Sequence, residues 1–542
     1  MVVKNNFIRS LLFYRIPQLL LIAIVFYLSR GYLFNLICTL TGITERDRLF
    51  YVLTSLIVYG GLLFAWVMIA FTTLRSQQYL KLTGRSFGYD SRQYKRDYFS
   101  LVDYFKDANP YKMDEESLPL ENWRQAEGVI LGHLGPRLVK RKSSGEGNFM
   151  TIGRPGSHKT TSQIVPTALR FKGSCLVLDI KGDVLKWTKG KRKMLIFNPD
   201  KAEGSYHYNV FEGIAKMSLS DRRTFIENIA NIIVQDSGST KAEDSNYFVS
   251  GGRDFFCGIA LAMLHEDINV TFPEVVYAIL HGNAFDWVLN VEAGNCEEAQ
   301  EYLVSYKGSN EKNVAGCYNC LAKAVRPFNS GALKELLDGK GKCISPKALE
   351  KGYDVYIEIP QDKIGIYSPI TTIIVQNFMT AFMQRTDQSS GKKLRDIILL
   401  LDEFPQLRFD FDTLSMALST LRSKAVSVFM AQQSIAQIEG RYGDAHTREI
   451  IDNCAYISIM SIQDPKNREW AQKLIGREKV LKRGTSLNNG SNNNSSSGES
   501  VQEAMEYIYE AADFGKIGKD GDDVIIYANG QYIQCQKTNC FE

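Results

Sequence analysis

The sequence predicts an α/β fold: a parallel sheet buried between helices, interrupted by a helical insertion and preceded by a two-helix membrane hairpin. Three observations predict it. Short, wholly apolar runs recur from Asn148 onward, as strands buried on both faces require. Two of these runs lead into segments suited to phosphate and magnesium, Gly153-Arg-Pro-Gly-Ser-His-Lys-Thr160 and Asp402-Glu403. Residues Leu49 to Leu74, 26 in all, carry no charge. That length spans a hydrocarbon core of about 30 Å with some tilt.

At 542 residues the chain holds more than one structural unit. Its 44% hydrophobic and 23% charged residues are ordinary for a globular protein with a membrane anchor. A net charge of +4 is too small to demand a nucleic-acid partner. Two basic clusters, Arg137/Lys140/Arg141/Lys142 and Lys189/Lys191/Arg192/Lys193, read as solvated surface.

The membrane hairpin, residues 1–75, comes first. Ile16 to Leu28 is apolar apart from Gln18, and extending it to Leu40 requires Arg30 to snorkel. No small-residue cleavage pattern follows, which argues against a signal peptide. Lys4, Arg9 and Arg15 precede the hairpin, and Arg75, Lys81, Arg85, Arg92, Lys95 and Arg96 follow it. Arg30, Arg46 and Arg48 in the intervening stretch oppose this bias. The balance puts the large domain in the cytoplasm. Thiols there stay reduced, and eight of the ten cysteines fall in that part, with Cys38 at the end of the first apolar segment and Cys540 at the tail. The close pair Cys317 and Cys320 has no second pair or histidine at metal-site spacing and reads as structural.

Residues 76–147 form a connecting region. Strands are then expected at 149–152, 175–179, 194–197, 354–359, 397–401, 426–430 and 455–460. Residues 219–337 switch to helical periodicity, as in Asp254 to Leu264, and read as an all-α domain inserted between 148–218 and 338–542. The Gly/Asn/Ser-rich stretch Gly484 to Ser500 is expected to be a flexible loop. Val524-Ile-Ile-Tyr527 and Gln531-Tyr-Ile-Gln534, joined by Asn529-Gly530, read as a β-hairpin.

The phosphate loop needs inward N–H groups, a lysine for the β- and γ-phosphates and a hydroxyl for magnesium. Gly153, Pro155, Gly156 and Ser157 suit the tight turn, with Lys159, Thr160 and Thr161 following. His158 stands where the consensus has glycine, a position that often takes positive φ. Pro166 should shorten or kink the next helix. After Ile397-Ile-Leu-Leu-Leu401, Asp402 can join Thr160 around magnesium, and Glu403 can polarise water. Gln433, beyond the next strand, can sense the γ-phosphate.

These residues resemble the TraG/TraD-like type IV coupling proteins, membrane-anchored ATPases of conjugation and type IV secretion. The resemblance covers nearly all the chain. It rests on the amino-terminal hairpin, Pro155-Gly-Ser-His-Lys-Thr-Thr161, Leu178-Asp-Ile-Lys-Gly-Asp183 and Asn209-Val-Phe211. Its densest part is Asp402-Glu-Phe-Pro, Leu421-Arg-Ser, Gln433-Ser-Ile-Ala-Gln437, Tyr442-Gly443, Asn453-Cys454 and Leu474-Ile-Gly476, in order. His158 and Val210 depart from the family pattern.

The resemblance implies a RecA-like P-loop domain that forms a hexamer with sites between subunits, ATP and Mg2+ as cofactors, and Arg422 as a contributor across the interface or a structural ion pair. It implies cargo of single-stranded DNA with its relaxase, or secreted proteins, passed to a type IV secretion channel at the bacterial cytoplasmic membrane. Two other functions fit less of the chain. One is a docking receptor that binds nucleotide with little turnover, motivated by His158. The other is a double-stranded DNA translocase of the FtsK type, opposed by the two-helix anchor, the helical insertion and the absence of a carboxy-terminal winged helix.

Overall fold

The structure, a computed structural model, describes Thr39 and residues 112–538, except 114–119, 123–126, 135–136, 142–146, 236–242, 389–393, 490–494 and 518–522. Apart from Thr39, these belong to one compact unit, Asn109–Glu542. Apart from Thr39, the expected membrane hairpin lies outside the described residues. Among the described residues no helix is long and apolar enough to cross a membrane.

The strands are β1 (Leu120–Asn122), β2 (Val129–Leu134), β3 (Arg137–Arg141), β4 (Asn148–Ile152), β5 (Ser174–Asp179), β6 (Met194–Phe197), β7 (Asp354–Glu358), β8 (Ile397–Leu401), β9 (Val426–Gln432), β10 (Cys454–Ile459), β11 (Arg477–Asn489), β12 (Ser495–Tyr507), β13 (Asp523–Ala528) and β14 (Gln531–Gln536). All but β11 and β12 join one twelve-stranded sheet, ordered β1-β3-β2-β14-β13-β10-β4-β9-β8-β5-β7-β6. From β10 to β6 every pairing is parallel. From β10 back to β1 every pairing is antiparallel.

The parallel half follows from its composition. Every residue of Ile397-Ile-Leu-Leu-Leu401 is fully buried, as is all of β5 and β9, so helices must cover both faces. Register is pinned across three strands. Phe149 pairs with Phe429 and Tyr456, and the rings stack at 5.9 and 5.1 Å between centroids. The expected hairpin at β13 and β14 is closed by Asn529 and Gly530, both at positive φ, the turn whose twist matches its strands.

Helices α1 (Val165–Arg170) and α2 (Asp183–Thr188) follow β4 and β5. Pro166 sits in the first turn of α1, which is only six residues long. Between β6 and β7 the chain is helical: α3 (Leu219–Ile233), α4 (Glu243–Glu266), α5 (Phe272–His281), α6 (Ala284–Ala293), α7 (Glu297–Leu303), α8 (Glu311–Val325), α9 (Gly331–Leu336) and α10 (Pro346–Glu350). Helix α4 is the hub. A Cβ at Gly251 would lie 2.3 Å from Cys317 Sγ, and one at Gly258 would lie 2.6 Å from Leu303. Glycine is what lets α7 and α8 approach so closely, and Cys317 is a packing residue of that contact. The remaining helices are α11 (Ile364–Met383), α12 (Phe411–Thr420), α13 (Ile435–Asp452) and α14 (Pro465–Ile475).

Three sequence expectations change. Residues 120–141, inside the stretch expected only to connect, supply three strands of the sheet. The stretch Gly484 to Ser500, expected to be a loop, lies largely in a separate antiparallel hairpin of β11 and β12, paired without a break from Arg477↔Tyr507 to Asn489↔Ser495. Its backbone ladder needs no apolar side chains, so a Ser/Asn composition does not forbid it. The basic clusters are not simply solvated surface. Lys140 is 2% exposed. Arg192 forms a bidentate pair with Asp354 and donates to Phe171 O and Gly173 O, both at 2.6 Å, clasping β7 to the turn before β5.

Candidate nucleotide site

The carboxyl ends of the parallel strands carry the site, where ligands of open α/β sheets bind. After β4, Gly153 N donates to Gln432 O (3.1 Å) and Arg154 N to Ser461 O (2.8 Å), which anchors the loop to its neighbours. A Cβ on Gly153 would fall 2.5 Å from Ser157 Oγ, so only glycine fits there. Ser157 N bonds Arg154 O at 3.1 Å, with Pro155 and Gly156 (φ 76°) between them, the signature of a type II turn. The amides of Gly156 and His158 find no backbone acceptor among the described residues and are available to phosphate oxygens.

His158 has φ 65°, the left-handed conformation its consensus glycine would supply, and is exposed. The loop therefore keeps its shape at the cost of local strain, about 1 kcal/mol for a left-handed side chain. His158→Gly is expected to keep or raise nucleotide affinity, measured by titrating a labelled ATP. A fall of about tenfold, or 1.4 kcal/mol, would show instead that the imidazole binds phosphate.

Lys159 opens the next helix and is buried. Its Nζ donates to Gly153 O (2.7 Å) and Arg154 O (3.4 Å). Burial pulls its pKa below the usual lysine value, while the charges of Glu403 and Asp402 raise it. Thr160 Oγ1 lies 3.1 and 3.0 Å from the two oxygens of Asp402, across from the end of β8. Burial pushes the Asp402 carboxyl up to about 6, against the Thr160 hydrogen bond and the Lys159 charge. Thr161 Oγ1 donates to His158 O at 3.3 Å and closes the turn. Residues Thr160–Ile164 wind as a π-helical turn, a form that recurs at functional sites.

Glu403 also stands at positive φ (61°). Gln433 Nε2, just past β9, donates to Glu403 Oε1 at 2.9 Å. Glu403 Oε2 and Ser157 Oγ are buried without a hydrogen-bond partner. Such orphaned atoms call for a ligand or water. The donor set fits a magnesium nucleotide: a hydroxyl and a carboxylate in contact for the metal, an ammonium and free amides for phosphate, and a carboxylate oxygen left over for water.

Gly153, Pro155, Gly156, Ser157, His158, Lys159, Thr160, Thr161, Asp402, Glu403 and Gln433 thus converge. Arg422 does not. It is exposed in the turn Leu421–Lys424 before β9, at the opposite edge of the sheet, the length of a seven-residue strand (roughly 23 Å) from the phosphate loop. It cannot reach the nucleotide of its own subunit. The site also holds residues the sequence reading did not single out as functional. Asp179 ends β5 beside β8, accepts Leu185 N at 2.7 Å, and burial pushes its pKa up to about 6. Lys181, two residues on, is close enough to weigh on the Lys159 charge. The signal was present: Leu178-Asp179, like Leu401-Asp402, is an apolar strand ending in an acid.

This arrangement on this sheet has the fold of the RecA-like P-loop NTPases, with a helical domain. Sequence comparison narrows the class. Residues 112–542 match the family described as type IV secretory system conjugative DNA transfer, and the chain belongs to that family. A probable conjugal transfer protein TraG of Sinorhizobium fredii is 23% identical over 393 residues, covering 68% of this chain and 59% of the relative. Protein VirD4 of Agrobacterium fabrum is 23% identical over 387 residues, covering 68% and 55%. The matched part of the chain therefore spans little more than half the length of these relatives. In fold, the chain is similar to the plasmid coupling protein TrwB in complex with ADP and Mg2+ (TM-score 0.58, 15% identity, 79% of this chain and 93% of that one). It is equally similar to TrwB bound to a non-hydrolysable GTP analogue (0.57, 18%, 77% and 91%).

Proposed function

We propose that this protein is a coupling ATPase that receives single-stranded DNA with its relaxase, or secreted proteins, and delivers them to a type IV secretion channel. The observation that carries the reading is the contact of Thr160 with Asp402 beside Lys159 and the Glu403–Gln433 pair, in a chain of the conjugative DNA transfer family. Lys159 and the loop amides hold the phosphates. Thr160 and Asp402 would hold magnesium, which would supply positive charge against the phosphates. Glu403, steadied by Gln433, orients the attacking water. Arg422 serves the site of the adjoining copy in a hexamer. Residues 1–75 anchor the ring in the bacterial cytoplasmic membrane as a two-pass hairpin. Residues 148–218 and 338–542, together with the strands of 120–141, form the nucleotide-binding domain, with 219–337 as its all-α insertion. The left-handed backbone of His158 gives the loop the shape that glycine would give it, which supports nucleotide binding here.

Measuring Mg2+-dependent ATP hydrolysis and cargo transfer together on the full-length chain tests the proposal. Transfer without hydrolysis would sink it. Deleting residues 1–75 is expected to give a soluble, mostly monomeric and slow protein, because tethering raises the effective concentration of subunits that share sites. Sedimentation read alongside hydrolysis checks this, and a fully active monomer would refute shared sites.

A further inference from the structure

We infer that Asn148 is a positioning residue for Arg422, and that strands β4 and β9 tie this arginine to the state of the subunit's own nucleotide loop. The inference rests on the reading above in which Arg422 acts on the adjoining copy.

Asn148 opens β4 at the edge of the sheet opposite the nucleotide site and is 1% exposed. Its Nδ2 donates to Leu418 O (2.8 Å) and to Asn453 O (3.0 Å), and its Oδ1 accepts Val428 N (3.1 Å). One side chain thus fixes the ends of α12 and α13 and the start of β9 against β4. Leu418 lies one helical turn before Arg422. The turn Leu421–Lys424 is gripped from its other side as well. Arg385 Nη1 donates to Lys424 O (2.6 Å) and Gln388 Nε2 to Arg422 O (3.2 Å). Ser423 Oγ donates to Asp387 (2.6 Å), and Lys424 pairs with the same carboxylate (3.0 Å). Ala425 ends the turn in the left-handed conformation, φ 58°. Arg422 itself is exposed and lines a cavity of about 450 Å3 together with Asp452 and Asn453.

A surface turn that only joins a helix to a strand needs few of these bonds. A turn that must present a guanidinium to another molecule needs its backbone immobile, since about 1 Å of misplacement costs roughly a hundredfold in rate. The connection to the subunit's own nucleotide is short. β4 runs from Asn148 to Ile152 and continues into Gly153 of the phosphate loop. β9 starts at the Arg422 turn and ends at Gln432, which bonds Gly153 N and precedes Gln433. The two strands are parallel neighbours in continuous register. A shift of the loop on binding phosphate therefore acts on strands whose far ends hold the arginine meant for the next subunit.

The test uses full-length protein in detergent and mixtures of variants. Lys159→Ala with Arg422→Ala comes first. Neither is active alone, and random assortment around a head-to-tail ring restores about a quarter of wild-type hydrolysis. No restoration overturns the shared-site reading itself. Asn148→Ser is then expected to keep labelled-ATP affinity within about twofold while kcat falls by at least about tenfold. Mixing it with Lys159→Ala, whose Arg422 turn is intact, should restore turnover as the Arg422→Ala mixture does. Loss of affinity in step with kcat, or no restoration where Arg422→Ala is restored, overturns the positioning role. Should Asn148→Ser not fold, judged by circular dichroism, Gln388→Ala reads the same clamp from an exposed position. It is expected to lower kcat by about threefold with unchanged affinity, and unchanged kcat would overturn the inference.

Discussion

Lys159→Ala is expected to abolish cargo transfer while leaving the protein's fractionation unchanged. The ammonium is buried and meets the carbonyls of Gly153 and Arg154 at 2.7 and 3.4 Å, with Asp402 and Glu403 among the charges acting on it. Placed against phosphate, it makes charge-assisted hydrogen bonds of about 1.5–3 kcal/mol, so affinity falls by about ten- to a hundredfold. Turnover falls further, because the same charge meets the transferring phosphoryl group, a loss of about 10²–10³ for one preorganised electrostatic group. Residues 1–75 are far from Lys159 in sequence, and membrane fractionation should find the variant where the wild type is. A strain carrying Lys159→Ala that transfers cargo normally would eliminate the motor.

Glu403→Gln is expected to keep nucleotide affinity and lower hydrolysis by about 10² or more, as loss of a positioned general base does. The geometry explains why the two separate. One carboxylate oxygen accepts from Gln433 at 2.9 Å, and a glutamine carbonyl can take that bond over. The other oxygen is buried and unpartnered, placed to accept from water. In glutamine that atom becomes an NH2, a donor that repels the water proton. Phosphate contacts through Lys159 are untouched, so the bound state accumulates. Filter binding of labelled ATP with single-turnover hydrolysis reads both quantities, and unchanged hydrolysis would assign water activation to another group.

The parallel half of the sheet was legible because its chemistry is one-sided: Ile397-Ile-Leu-Leu-Leu401 can only be buried. The antiparallel half was not, because β1 to β3 mix charge with apolar residues and their partners lie far along the chain. Proximity of Thr160 to Asp402 could be expected from the motifs, and their contact bears on the fold directly. The left-handed backbones of His158 and Glu403 could not be read, since neither residue type demands positive φ. A list of charges also cannot distinguish Arg192, locked to Asp354, from a solvated lysine. For Arg422, motif order gives a candidate role but not its position at the far edge of the sheet, which depends on how β9 runs between its two ends.

The order of strands has a consequence for biosynthesis. β13 and β14 stand between β10 and β2 in the sheet, so the antiparallel strands β1 to β3 join the parallel strands edge to edge through a hairpin made much later, although β2 already bonds α1 through Ile130 N and Thr167 Oγ1. While the chain is being translated, β2 has its partner β3 on one side and an unpaired edge on the other. That edge closes only when residues 523–536 leave the ribosome. A message cut short before Asp523 would therefore yield a chain with the phosphate loop and both acids but with a permanently open sheet, a substrate for proteases and for aggregation. Quality control is thus written into this topology: the strand pair that joins the two halves of the sheet is also a proof that translation went that far.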